Sequence, residues 1–290
     1  MKQSLNSQSY RHLVQKLQFL LRFLRFFWRA QTSYRLHSPF IFEFAAEILD
    51  DRRIYYAFSP LEKLRQGLLK NHNKLTITDH GAGSRVNDSN QRSIRQITSY
   101  SVSSPFFCRV LFKVINKYQP LRSLELGTSV GVSSLYQAAG LGTNGKLITL
   151  EGCPQIASIA QQNFAHFSAY PIDLRIGTFS ETLIPALQDL EGLDYVFIDG
   201  NHRLKPTVEY FETCLQYAHE NSIFVFDDIH WSKEMEAAWQ QVQQHPKVTL
   251  TIDLFSCGLV FLRTEHKTKM HYQLVPNRWK PWQMGFFRAR

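Results

Sequence analysis

Cysteine is scarce in this chain, with four in 290 residues, at 108, 153, 214 and 257. None of the gaps is the short spacing that clips a zinc ion, so the pattern excludes a cysteine metal cluster. Four unpaired thiols read as reduced, mostly buried side chains of an intracellular protein. No stretch offers the about 20 apolar residues that span a bilayer. The small-residue cleavage site of a signal peptide is missing too, so a cytoplasmic location is expected. Acid is absent from residues 1–40, which hold seven Lys/Arg, and residues 263–290 hold seven against Glu265 alone. With a formal net charge of +9 overall, the segment between these arms is net acidic. Basic arms of this kind suit anionic lipid, nucleic acid or an acidic partner.

Also missing is G-x-G-x-x-G, the loop that seats a dinucleotide pyrophosphate on a helix N-terminus. A nicotinamide oxidoreductase is disfavoured on that ground. In its place stands Leu124-Glu125-Leu126-Gly127-Thr128-Ser129-Val130-Gly131. This reads as a buried strand, a glycine turn and a helix start. Glycines there let the backbone turn tightly and come close to a ligand. The next strand, 146–150, ends on Glu151, whose two oxygens suit a ribose diol. Together they describe a pocket for an adenosine-containing cofactor.

On these residues the chain resembles the class I S-adenosylmethionine-dependent methyltransferases, whose first motif has the form E-x-G-x-x-x-G and whose second strand ends in the ribose-binding acid. The resemblance implies a cofactor site at Glu125, Gly127, Thr128, Gly131, Glu151, Gly152, Thr178 and Phe179. It implies methyl transfer from S-adenosylmethionine, and oxygen is the expected acceptor atom.

Further strands are predicted over 172–176, 193–198 and 222–226, with helices over 154–167, 181–190, 206–219 and 232–244 between and after them. Ser180 is the expected cap of the helix over 181–190. Segments 248–254 and 257–262 read as an antiparallel pair. Alternating strands and helices imply right-handed crossovers. The expected fold is α/β, a Rossmann-like, doubly wound, mostly parallel sheet with a final antiparallel strand, preceded by an N-terminal helical region. The expected division is 1–100 as a helical cap, 101–265 as the cofactor-binding domain and 266–290 as a basic, aromatic tail.

Ligands of such sheets sit beyond the carboxyl ends of the strands. The fourth and fifth strands end in Asp199-Gly200-Asn201-His202 and Asp227-Asp228-Ile229-His230. Three neighbouring carboxylates repel one another unless a cation joins them, and magnesium is the usual answer. The arrangement is similar to the metal-dependent O-methyltransferases of the catechol and macrolide-sugar types. That resemblance implies Asp199, Asp227 and Asp228 as Mg2+ ligands holding the acceptor hydroxyl. Where the sugar-modifying relatives carry a further acid as base, this chain has Asn201. Asp199, His202 and His230 are therefore the candidate catalytic residues. Asp199 as a helix cap or a cofactor-amine ligand, and Asp227 as a partner of buried backbone, stay open as alternatives. Asn/Asp-Pro-Pro-aromatic, the mark of base amino-methylation, does not follow the fourth strand.

Residues 10–29 have helical spacing, with Leu13, Leu17, Leu20, Leu21, Leu24 and Phe27 on one stripe and Arg22, Arg25 and Arg29 on another face. Peripheral membrane contact, packing on the chain's own domain and homodimerisation are the three fates of such a helix. The acceptor is expected to be small or lipid-linked. Trp279, Trp282, Phe286 and Phe287 lie among cations in the tail, yet no RNA-binding signature accompanies them, and nucleic acid is disfavoured. A non-catalytic adaptor that uses the basic arms at a membrane or partner surface is the alternative function.

Ser59-Pro60-Leu61-Glu62 spells a capping box, and Ser38-Pro39 and Ser104-Pro105 repeat the helix-start signal. A second glycine cluster, Gly81-Ala82-Gly83-Ser84-Arg85, has no acid-ended strand after it. It reads as a connector or a mobile loop carrying Arg85, with Arg92 and Arg95 following. Together with Leu36-His37-Ser38-Pro39-Phe40 it resembles a group of bacterial methyltransferases of undefined substrate.

Overall fold

The computed structural model describes residues 2–77, 91–265 and 268–283. Eight strands form one sheet. They are β1 (Arg122–Leu126), β2 (Lys146–Glu151), β3 (Ile172–Ile176), β4 (Leu193–Ile198), β5 (Ala218–Asp227), β6 (Leu250–Asp253), β7 (Cys257–Phe261) and β8 (Met270–Gln273). Their order across the sheet is β8-β6-β7-β5-β4-β1-β2-β3. The first five are mutually parallel, and β7 runs antiparallel between β5 and β6. The order reverses between β1 and β4, and it is at such a switch point that a doubly wound sheet opens a crevice.

Alternation along the strands divides the core in two, because successive side chains point to opposite faces. Leu124, Leu126, Val196, Ile198, Phe224 and Phe226 pack beneath the helices Phe179–Leu190, Leu204–Leu215 and Lys233–Gln244. Tyr195, Phe197, Ile223 and Val225 face the other way, toward the helix Pro105–Tyr118 and the segment Pro39–Phe44. Ser104 starts Pro105–Tyr118 as its sequence predicts, its hydroxyl accepting from the Phe107 N–H at 3.2 Å.

Several local expectations change. The cap of Phe179–Leu190 is Thr178 rather than Ser180, because Thr178 and Glu181 close a reciprocal capping box. Helix Phe58–Lys70 begins before Ser59, with Ala57 as its cap residue. Glu62 is drawn away from the helix start to Tyr136 and Arg65. The N-terminal region is not wholly helical, since Lys74–Thr76 and Gln91–Ser93 pair as an antiparallel ribbon. The glycine cluster between them lies outside the described residues. The tail adds an edge strand, β8, parallel to β6.

The long helix Lys2–Arg29 joins the sheet through its carboxyl-terminal half. Phe26 and Ala30 are buried with Phe255 and Val275. Lys280, itself buried, donates to the Ala30 carbonyl at 2.6 Å, so the tail folds back on the end of this helix. No helix among the described residues is long and apolar enough to cross a membrane.

At the amino edge, Asp194 fastens β4 to β1. It accepts from the N–H groups of Leu121 and Arg122, from the Arg122 guanidinium and from His219. Burial alone would raise this carboxyl, but the Arg122 and His219 hydrogen bonds outweigh it and hold the pKa at about 2. A folded-state pKa below the unfolded one adds stability above the ordinary carboxylate range and loses it as pH falls toward the folded value. Asp194→Asn is therefore expected to cost about 1–2 kcal/mol at neutral pH. Denaturant melts of variant and wild type converge as the pH is lowered from 4 toward about 2.

Candidate active site

The crevice is shaped first by what β1 can do at its end. Gly127 has φ +106°, and a Cβ there would stand 2.1 Å from the Asp199 carbonyl oxygen. Only glycine lets the turn pass that closely under the end of β4, where the Asp199 N–H donates to the Leu126 carbonyl at 2.9 Å. Gly131, at φ +81°, meets the Phe164 ring in the same way and starts the helix Val132–Gly140.

Glu125 lies one residue before this turn's base and is fully buried. Its carboxylate accepts from Ser133 at 2.7 Å, Gln137 at 2.6 Å, Thr149 at 2.6 Å and Ser134. Burial raises its pKa and the four donors oppose that shift. Thr128 is also interior, its hydroxyl bonded at 2.6 Å to that of Thr149. Since Thr149 donates to Glu125, Thr128 donates to Thr149. The side chains of these two predicted cofactor residues thus hold β1, β2 and the following helix together, and are not offered to the crevice.

Glu151, unlike these two, is only partly buried. Its oxygens accept from the N–H groups of Ser129, at 2.8 Å, and Cys153, at 2.9 Å. Burial raises its pKa against those backbone donors and that of Gly152. Opposite, Thr178 caps its helix, and Phe179 sets its ring edge-on to Tyr210 at 5.3 Å. A Cβ on Gly200 would lie 2.5 Å from the Phe179 ring, so ring and β4 loop are in direct contact. The turn after β1, the end of β2 and the start of Phe179–Leu190 therefore lie together at the carboxyl edge of the sheet.

The ends of β4 and β5 gather the acids. Asp199 and Asp227 are hydrogen-bonded to each other, and burial together with mutual repulsion lifts both well above the usual carboxylate range. A proton held between them removes the repulsion. Asp228 donates its N–H to Asp227 Oδ1 at 2.9 Å and to the Ser256 carbonyl at 2.7 Å. Asn201, His202 and Asp228 all have positive φ, at 64°, 21° and 54°. Such left-handed backbone costs energy in non-glycine residues and gathers at functional loops.

The two histidines separate. His202 Nε2 is 3.5 Å from Asp199 Oδ1. Its burial lowers its pKa, against the pull of Asp228. His230 is a correction: its nitrogens face Asp253, at 2.9 Å, and Glu236, at 3.2 Å, and the ring stacks on Phe255. Its ring is engaged away from Asp199, Asp227 and Asp228, because Glu236 of the helix Lys233–Gln244 and Asp253 of β6 hold both nitrogens.

Three hard oxygen donors are chemically right for a divalent cation. The positions do not fit one, however, for among the described residues no group of three acids or histidines stands where an ion could be held. Asp199 and Asp227 are turned onto each other, and Asp227 also faces the Ser103 hydroxyl at 3.5 Å.

Ser103 and Ser101 are additions that sequence reasoning missed. Ser101 meets the Ser129 hydroxyl at 2.6 Å. Buried Arg65 holds the Ser103 carbonyl at 2.6 Å, linking helix Phe58–Lys70 to the acid cluster. The signal was the serine run before Ser104-Pro105, which the cap alone had absorbed.

Residues 124–229 match the family described as a methyltransferase domain. Catechol O-methyltransferase of Niastella koreensis is 33% identical over 108 residues, 37% of this chain and 48% of that protein. The enzyme of the same name from Mycobacterium tuberculosis is 31% identical over 112 residues, 38% of this chain and 49% of its own. The chain thus spans about half the length of the curated relatives it matches. The crystal structure of an S-adenosylhomocysteine-bound methyltransferase from Podospora anserina superposes with a TM-score of 0.52 at 17% identity, covering 72% of this chain and 89% of that one. It shows the fold.

Asp199→Asn puts a permanently neutral side chain where the buried pair must otherwise take up a proton on folding. The ligand-free variant is expected to melt about 2–4 °C higher at neutral pH, a gain of about 1 kcal/mol. A raised folded-state pKa means that the native state takes up a proton as pH falls. The wild type therefore gains relative stability on acidification, and calorimetric scans of the two proteins should draw together toward the ordinary carboxylate range.

Proposed function

We propose that this chain, whose residues 124–229 match a methyltransferase domain family, is a class I methyltransferase that binds S-adenosylmethionine beside Gly127 and transfers its methyl group to an oxygen of a small or lipid-linked acceptor. The observation that carries the reading is the closure of the Gly127–Gly131 turn on Glu151, with Thr178 and Phe179 on the far wall. In this reading Glu151 exchanges backbone partners for ribose hydroxyls, and the turn's backbone supports the amino-acid end. Phe179 offers an apolar wall.

The reaction is a displacement. A bond forms between acceptor oxygen and methyl carbon as the carbon–sulfur bond breaks, and S-adenosylhomocysteine leaves with the electron pair. The acceptor's hydroxyl proton passes to a base. Because the sulfonium is already a good leaving group, the protein's work is alignment, proton removal and exclusion of water. His202 is the base in this proposal, its burial keeping the imidazole neutral at the pH where a base must accept. Asp199 lies beside it to orient the ring, and the Asp228 carboxylate favours the imidazolium once it forms.

The outward stripe of the N-terminal helix supports the lipid-linked acceptor class, with Leu17, Leu20, Leu21, Leu24 and Trp28 exposed. Magnesium assistance by Asp199, Asp227 and Asp228 requires their side chains to rearrange. It predicts a divalent-cation requirement that Asp228→Asn abolishes.

Calorimetric titration with S-adenosylhomocysteine tests the cofactor assignment. Wild type is expected to bind, and Glu151→Ala to weaken binding at least about tenfold through lost charged hydrogen bonds. Absence of binding with and without Mg2+ would favour the adaptor reading.

A further inference from the structure

A cavity lies apart from the residues assigned to the cofactor. It has a volume of about 750 Å³ and is walled by the N-terminal helix, the helix Lys233–Gln244 and the carboxyl ends of β6 and β8. That size is within the range of ligand sites. Its back wall is tied together by hydrogen bonds. Buried Asp253 accepts from Gln273 at 3.0 Å and from the Phe255 N–H at 2.8 Å, and it bonds His230. Arg22 is pinned by Glu236 at 3.1 Å and by the His230 carbonyl.

These contacts consume the acids of the wall and leave its other cations unmatched. Arg25, Arg29 and Lys233 line the cavity, and no carboxylate among the described residues pairs with them. Arg25 and Arg29 are four residues apart on one helix face, one turn from each other, and Lys233 closes from the opposite helix. Two like charges at that spacing destabilise an isolated helix. They are accommodated when an anion bridges them, and guanidinium forks match phosphate oxygens two by two.

We propose that this cavity is a binding site for a phosphate-bearing ligand, gripped by Arg25, Arg29 and Lys233. The source of the phosphate is either a soluble ester or a lipid headgroup. The exposed apolar stripe that meets the cavity at Leu21 would lie along acyl chains in the second case. The site involves none of the residues assigned to the cofactor and stands whether or not the methyltransferase reading does.

The test uses the whole chain in phosphate-free buffer, with inorganic pyrophosphate in a calorimeter and phosphatidylglycerol vesicles in a sedimentation assay. The site variant carries Arg25→Gln, Arg29→Gln and Lys233→Gln, all exposed positions. A charge-matched control carries Lys63→Gln, Lys70→Gln and Lys205→Gln, exposed elsewhere. Wild type and control are expected to bind pyrophosphate, the vesicles or both, and the site variant to lose at least about tenfold. Loss of pyrophosphate binding assigns a soluble ligand, and loss of vesicle binding alone assigns a headgroup. No binding of either probe by wild type, wild-type binding by the site variant, or an equal loss in the control would overturn the proposal. S-adenosylhomocysteine titration of the site variant keeps the two readings separate: unchanged cofactor binding shows an intact crevice, whatever the phosphate arm gives.

Discussion

A single buried carboxylate sets the geometry on which everything at the carboxyl edge depends. Glu125 sits where no water reaches it, and a charge in that position is tolerable only if its oxygens are fully engaged. Four side chains engage them: Ser133, Ser134 and Gln137 from the helix after the turn, and Thr149 from β2. The constraint therefore fixes the angle at which the helix leaves β1 and the distance from β1 to β2. The turn between them is held at both ends, and Gly127 and Gly131 are the residues that can follow its path without collision.

From that frame the rest follows by contact. The close pass of Gly127 beneath Asp199 locks the end of β4 to the end of β1. This sets the strained loop at Asn201 and His202 beside the turn after β1, and the hydrogen bond from Asp199 to Asp227 brings in β5. The N-terminal region supports the same edge from behind, with Arg65 holding the Ser103 carbonyl and Glu62 meeting the Tyr136 hydroxyl. Buried like charges and positive φ are costs that packing elsewhere sustains. They stand together at the ends of β4 and β5, where a doubly wound sheet does its chemistry.

The sheet was legible because its signals are local. Apolar runs such as Val196–Ile198 sit between glycine turns and helix caps, and each strand end carries its polar cluster on the chain. Gly127, Gly131 and Glu151 were legible for the same reason. The direction of a side chain was not. An E-x-G-x-x-x-G string reads alike whether Glu125 faces ligand or core, and the choice is made by Gln137 and Thr149, 12 and 24 residues away. His230 is two residues from Asp228 in sequence, yet it turns to Asp253 and Glu236, which no short-range pattern announces. The capping errors at Ser59 and Ser180 have a related cause. Acids that could close a local box are also available to tertiary partners, as Glu62 is, or to a hydroxyl two residues before the expected one, as Glu181 is to Thr178.

Hydrogen exchange of the whole chain with and without S-adenosylhomocysteine tests the central claim most directly, because it reads where a ligand lands and not only that it binds. The account predicts added protection in the peptides covering residues 126–133, 151–153 and 178–180, and none in residues 18–29. Unchanged exchange across the first three segments at saturating ligand would contradict it, as would protection confined to the cationic cavity.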